Sequence, residues 1–168
     1  MAISDYLRRL REKIGTDLLL VPSVTGVVFD AADRMLFVRH ADRGIWVLPG
    51  GAVDPGETPA DAVVRELWEE TGLSVEPRAL LGVFSGPDFL VRYRNGDEVV
   101  YLMTVFECRV VGGHPRPDGE ETLDVRYFSQ DEAKGVELPP WARVIMPRLF
   151  ARTGPGFLPP TWRPPDGD

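Results

Sequence analysis

A chain of 168 residues accommodates one domain with a sizeable core and, at most, short extensions. Its 43% hydrophobic and 27% charged content are ordinary for a globular protein, and no apolar run reaches the length of a membrane span. With no signal-peptide pattern at its start and a lone cysteine, Cys108, in an apolar strand-like run, the expected setting is the cytoplasm. The formal net charge of −7 argues against a broad nucleic-acid surface and leaves room only for a local basic patch.

In chain order, residues 4–15 read as a helix. Ser4 caps it, Gly15 ends it, and Tyr6, Leu7, Leu10 and Ile14 form an apolar stripe opposite Arg8, Arg9, Arg11, Glu12 and Lys13. That stripe has to be buried against the domain or against a second copy of the chain. The former is the simpler reading; the latter makes a homodimer an expectation to test. Residues 18–30 are apolar and β-branched, 31–34 turn-like and 35–40 apolar again, which predicts a hairpin entering the core. A loop over 41–44 then leads to a short strand-like stretch, 45–51.

Residues 51–73 read GAVDPGETPADAVVRELWEETGL. Thr58 stands where an N-cap belongs, Pro59 at the first helical position, Asp61 completes part of a capping box, and Gly72 offers a left-handed stop. Glu66, Glu69 and Glu70 share an arc of roughly 100° on this helix, and Ala60, Val64, Leu67 and Thr71 are expected to form its core face. Like charges at i and i+4 destabilise an isolated helix by a few tenths of a kcal/mol, and Arg65 offsets only part of that. A divalent cation would reverse the sign of the interaction, and all-oxygen ligands suit Mg²⁺ or Mn²⁺. The plain alternative is a solvated acidic helix face.

Beyond the helix, residues 75–84 predict a strand. Asn95-Gly96 signals a two-residue hairpin between 89–94 and 98–111, and the second arm is apolar at both parities, as for a strand covered on both faces. A polar loop (112–121), a short strand (125–128) and a closing helix (139–151) follow. From residue 153 onward, repeated Pro and Gly predict a tail or strap.

Gly51, Glu57, Arg65, Glu66, Leu67, Glu69, Glu70, Gly72 and Leu73 stand at the spacing Gly-x5-Glu-x7-Arg-Glu-aliphatic-x-Glu-Glu-x-Gly-aliphatic, without departure. In this the chain resembles the Nudix (MutT-like) hydrolases. The resemblance implies an α/β/α sandwich with a mixed sheet between the acidic helix and the closing helix, here with an added N-terminal helix. It divides the chain into an N-terminal helix (1–16), a Nudix domain (17–152) and a Pro/Gly-rich tail (153–168). The implied reaction is metal-dependent hydrolysis of a nucleoside diphosphate linked to another moiety. By the same resemblance Glu66, Glu69, Glu70 and the Gly51 carbonyl bind Mg²⁺ or Mn²⁺, and Glu66 or Glu69 is the general base. Arg65 and Glu57 orient the carboxylates, and Gly72 is a backbone position.

Many members recruit a further glutamate from a loop after the central strands. Here Glu121, ahead of Glu120, stands in that place as a catalytic and metal-binding candidate. Candidate substrate contacts lie on either side of the box: Arg39, His40, Arg43 and Trp46 before it, and Phe84, Asp88, Phe89, Arg92 and Tyr93 after it. Pro87 lies close to where ADP-ribose hydrolases of the family carry a proline, though its surroundings do not match well. The expected partner is a small nucleotide rather than nucleic acid or membrane. The competing readings are a catalytically silent nucleotide-sensing module and a pyrophosphohydrolase acting on RNA 5′ ends.

Overall fold

The computed structural model describes residues 4–159. Seven strands form two sheets. The larger joins β1 (Leu19–Val27), β6 (Glu98–Gly113), β4 (Leu73–Phe84) and β5 (Leu90–Arg92). It is mixed, because β1 runs parallel to β6 whereas β4 and β5 run antiparallel to it. The smaller sheet is antiparallel, with β2 (Met35–His40) between β3 (Trp46–Val47) and β7 (Thr122–Phe128).

Helices cover both sides of these sheets. Ala62, Val63 and Leu67 of α2 (Pro59–Thr71) pack on Val24, Val28, Leu36, Leu73 and Val75, and Cys108 belongs to this cluster as a packing residue. Burial pushes its thiol pKa up to about 12. On the opposite side, Trp141, Ala142, Ile145, Met146 and Leu149 of α4 (Pro140–Ala151) pack on Met35, Phe37, Phe84, Met103 and Val105. The expected layered α/β/α architecture, with its mixed sheet and N-terminal helix, is thus observed.

Several local expectations are corrected. The hairpin expected over 18–40 survives only at its turn, where Asp30 N–H donates to Arg34 O (2.9 Å) and Leu36 N–H to Val28 O (2.9 Å). Its arms then part into different sheets. β1 gains nine parallel pairings with the distant β6, while β2 is taken by β7. The connection between β5 and β6 is also longer than two residues. Asn95 and Asp97 form an Asx-type turn, with Asp97 N–H donating to Asn95 Oδ1 (3.1 Å), and Tyr93 N–H closes the loop onto Asp97 O (2.9 Å).

A short helix not foreseen, α3 (Gln130–Lys134), follows β7. Its signal was legible, since Ser129 and Glu132 form a capping box. At the C-terminus, Gly156 N–H donates to Leu81 O (3.1 Å) and Gly156 O accepts from Val83 N–H (3.3 Å), so residues 153–159 form a strap along β4. The remainder of the expected tail, 160–168, and residues 1–3 of the N-terminal segment lie outside the described residues.

Helix α1 (Asp5–Ile14) is capped by Ser4, whose Oγ accepts from Leu7 N–H (3.3 Å). It docks on its own domain. Leu7 packs with Leu19, Tyr93 and Tyr101 around Val21 and Val99, and Arg11 donates to the carbonyls of Gly15, Asp17 and Glu98. Tyr6, at 41% exposure, stays outside this contact. Among the described residues no helix is long and apolar enough to cross a membrane.

Candidate active site

The segment between β3 and α2 runs beside β1 almost as another strand. Pro49 O accepts from Gly26 N–H and Gly51 O from Val24 N–H (both 2.9 Å), and Val53 N–H donates to Pro22 O (3.0 Å). Such close approach demands glycine at position 50. Its φ is +150°, and a Cβ there would lie 2.1 Å from Val24 O. Gly50→Ala is therefore expected to lower stability by about 2–3 kcal/mol, because backbone rather than a flexible side chain must move. Urea denaturation monitored by fluorescence measures this. At Gly51 a Cβ would meet the Glu66 carboxylate at 2.4 Å. The absence of a side chain there lets the acidic helix press its glutamates against the loop.

The helix begins and ends as its sequence predicts, with a Thr58–Asp61 capping box, Pro59 in the first turn and Gly72 left-handed at φ +68°. Its buried face, however, is rotated towards the glutamates. Ala62, Val63, Glu66, Leu67, Glu70 and Thr71 are buried, whereas Ala60 is exposed and Val64 half-buried. Glu66 and Glu70 retain only 6% and 3% of their accessible surface, while the Glu69 side chain keeps 54%. Two of the three carboxylates thus line an interior wall rather than a solvated face.

Arg65 organises this wall. Its guanidinium donates to both oxygens of Glu57 (2.6 and 2.9 Å), to Glu66 Oε1 (2.8 Å), to Glu69 Oε2 (3.1 Å) and to Ala52 O (3.1 Å). Glu70 Oε2 accepts from Gly50 N–H (2.8 Å). Burial raises the Glu66 pKa to about 7, with Arg65 opposing and Glu69 and Glu121 reinforcing the shift. Burial, then the proximity of Glu66, holds Glu70 well above the ordinary carboxylate range. The Arg65 fork keeps Glu57 below that range.

Glu121 arrives from the loop that precedes β7. Asp118 Oδ1 accepts from the backbone N–H groups of Glu120, Glu121 and Thr122 (2.9 Å each), which shapes the turn. Thr122 Oγ1 then donates to Glu70 O (2.9 Å), and Glu121 O accepts from Ala41 N–H (2.7 Å). The turn therefore spans the ends of α2 and β2, and it presents Glu121 rather than Glu120 to the cluster. Burial raises Glu121 above the usual range, and its charge raises both Glu66 and Glu70.

An open cleft of about 110 Å³ begins at Gly50 and Gly51 and extends over the inner face of the larger sheet. His40, Arg43 and Tyr93 line it, as does Tyr101, whose hydroxyl lies 2.6 Å from that of Tyr93. Arg43 donates to Arg92 O (2.6 Å) and sits 5.6 Å from the Tyr93 ring centre. Burial lowers the pKa of His40, so its imidazole is neutral at pH 7.

The other candidate contacts lie elsewhere. Phe84 and Phe89 are core residues, with Phe89 stacked on Trp141 at 6.5 Å. Trp46 packs edge-on against Phe128 at 4.8 Å beneath Arg126, because its neighbour Val47 takes the cleft side of β3. Arg39 pairs across its strands with Trp46 and Asp124, on the face that carries Phe37 and Phe128, and does not line the cleft. Asp88 is exposed in a 3₁₀ turn (Pro87–Phe89), and Arg92 is held outside by Glu98. Cleft residues missed by sequence reasoning include Ser23, Thr25, Met103 and Trp141. The two small hydroxyls interrupting an apolar strand were the available signal; Trp141 had none.

Glu66, Glu69, Glu70, Glu121 and the second lone pair of Gly51 O are all oxygen donors, the type that suits a hard divalent cation. Among the described residues no three acidic, histidine or cysteine side chains are grouped so as to hold a metal ion as they stand. Arg65 and Gly50 N–H hold several of the oxygens, and Mg²⁺ keeps several waters and needs few direct carboxylates. The donor chemistry therefore fits such an ion.

The NUDIX domain family matches residues 19–149. A MutT-like protein of Streptomyces ambofaciens is 41% identical over 110 residues, covering 66% of this chain and 64% of that protein. A Bacillus subtilis (strain 168) protein provisionally named 8-oxo-dGTP diphosphatase is 36% identical over 103 residues, covering 61% and 62%. The chain thus spans less than two thirds of the length of these relatives. The crystal structure of an ADP-ribose pyrophosphatase from Streptococcus suis 89-1591 superposes with a TM-score of 0.55 at 31% identity, over 71% of this chain and 78% of that one. With the Gly51 to Leu73 motif complete and its glutamates gathered beside a cleft, the chain belongs to the Nudix family.

Proposed function

We propose that this chain is a Mg²⁺- or Mn²⁺-dependent pyrophosphohydrolase acting on a small nucleoside diphosphate derivative. The carrying observation is that two buried glutamates with raised proton affinity lie against Gly50 and Gly51, which line one end of an open cleft with aromatic walls. A nucleobase can stack on the aromatic surface of the cleft. The related proteins bear names that point to an oxidised nucleoside triphosphate and to ADP-ribose, and both are substrates of this class.

In the proposed reaction water attacks one phosphorus, a phosphoric anhydride P–O bond breaks, and the other phosphate leaves with the bond electrons. The bound cation would supply charge neutralisation at the phosphates and acidify the attacking water. Glu66, Glu69, Glu70, Glu121 and the Gly51 carbonyl would hold it. Glu66 or Glu69 accepts the proton from the attacking water, as a carboxylate beside a cation-bound water can. Arg65 holds Glu57, Glu66 and Glu69 in one orientation, so that little rearrangement is left for the reaction itself. Arg43 and neutral His40 offer donors to phosphate or base oxygens further along the cleft.

The test is a substrate panel of ADP-ribose, 8-oxo-dGTP, dGTP, sugar nucleotides and 5′-triphosphorylated RNA. Each is assayed with Mg²⁺ and with Mn²⁺, reading phosphate against pyrophosphate release. The expected result is a metal-dependent kcat/KM highest for one of the small molecules and abolished by EDTA. A value for the RNA more than about tenfold above every small molecule would reject the small-molecule reading. Binding of the panel without turnover would favour a nucleotide-sensing module.

A further inference from the structure

The face of the larger sheet that lies away from the cleft is only partly covered. Strand alternation and register place Leu20 opposite Val100, Pro22 opposite Leu102, Val83 opposite Thr104 and Leu80 opposite Phe106. These residues share the face of Val24 and Gly26, on which α2 packs through Leu67. Helix α2 stops at that end. The other end leaves Leu20 64%, Leu102 39%, Leu80 43% and Val83 42% exposed, with Leu18 beside them at 57%. Helix α1 gives no cover, because Leu7 packs with Leu19, Val21 and Val99, whose side chains point to the opposite face.

The strap along β4 extends the same surface. Gly156 pairs with Gly82, and Leu158 packs into the core on the α4 side. By alternation Phe157 projects the other way, next to Val83, and is 72% exposed.

We infer that this exposed half-sheet is the contact face of a homodimer, two copies meeting sheet to sheet about a two-fold axis. Three observations select a second copy over other occupants. Residues 18, 20, 22, 80, 83, 100, 102, 104 and 157 are uncharged, and the charged pair that shares this face at its edge, Arg92 and Glu98, is joined in an ion pair (2.5 Å), so the face offers no net charge to phosphate, nucleic acid or an acidic peptide. It is a strand surface rather than a concave pocket, and sheets pack on sheets at about 10 Å with such side chains interdigitating. Its area also suffices. From the exposures above, the six large side chains leave roughly 600 Å² uncovered, at the upper end for a monomer. Two copies would bury about 1,200 Å², the lower bound of a specific interface. Ser23, Thr25, Tyr101 and Met103 carry the cleft on the opposite face, so both active sites of such a dimer stay open.

Sedimentation velocity of the full chain from about 1 to 100 µM is the test, with Leu20→Lys and Leu102→Lys as variants. The expected result is a wild-type dimer whose melting temperature rises with protein concentration, and folded monomers for both variants whose cooperative melts do not shift with concentration. Turnover on the best panel substrate should stay within about twofold, since neither residue touches the cleft. Leu20, the more exposed of the two, secures the test if Leu102→Lys folds poorly. A dimer that survives both substitutions would overturn the inference and move the contact elsewhere, for instance to the stripe around Tyr6. A wild-type monomer at every concentration would overturn it as well. If Leu20→Lys then also lowered the melting temperature, the cover would belong to another part of the same chain. The sedimentation and melting readouts do not depend on the proposed substrate.

Discussion

Glu66→Gln is expected to lower kcat by about two to four orders of magnitude while making the metal-free protein more stable. Both effects come from one feature. The Glu66 carboxylate is 6% exposed and sits against Gly51, where burial disfavours its charged form. An amide of the same shape removes that cost and also removes the ligand and base. Glu69→Gln should reduce turnover comparably without raising stability, because its side chain is 54% exposed and loses little hydration on folding. The measurements are kcat on the best panel substrate and thermal melts in EDTA for each variant. If Glu69→Gln and Glu70→Gln both kept full activity, the proposed ion site would be wrong.

The same burial sets a pH dependence of stability with a definite sign. In the metal-free protein the pKa of Glu66 is raised to about 7, and those of Glu70 and Glu121 are also raised. Below about pH 4 these groups are protonated whether the chain is folded or not, and they contribute nothing. As pH rises above that, the unfolded chain loses these protons while the folded one keeps them, so stability falls. The Glu66 shift alone corresponds to on the order of 3 kcal/mol once pH exceeds its folded pKa. Glu57, whose pKa is lowered by Arg65, acts in the opposite sense and loses its contribution only as pH falls below the ordinary carboxylate range. In EDTA the melting temperature should therefore decline from pH 5 to pH 8. Mn²⁺ should raise it more at pH 8 than at pH 5, since the ion favours the ionised carboxylates. A melting temperature that climbed steadily over this range without metal would overturn the account.

Much of this protein was legible in its sequence because the relevant interactions are local. The boundaries of α2 follow from Thr58, Pro59, Asp61 and Gly72, which act within one turn of the residues they cap. The strand-like stretches and α4 follow from apolar runs and breakers, and the motif from Gly51 to Leu73 identifies the family. Even the turn that presents Glu121 is local, being built on the Asp118 side chain and the next few N–H groups.

What only the tertiary structure decided are the relations across long stretches of chain. Amphipathic reasoning put Glu66 and Glu70 in water, because periodicity alone equates charge with solvent; the packing of α2 on β1 and the segment at Gly50 and Gly51 turned them inward. The parting of β1 from β2 depended on β6 and β7, strands far along the chain whose pairing outweighs a local turn. Phe84 and Phe89 have the same composition signal as cleft aromatics, and only the core-facing side of β4 and the 3₁₀ turn that follows it sent them into the core beside Trp141. Sequence chemistry thus specifies which groups can react and where helices begin, since both act over a few residues. Which carboxylate is buried, and which aromatic meets a ligand, is set by the fold, because burial is a property of what packs on each face.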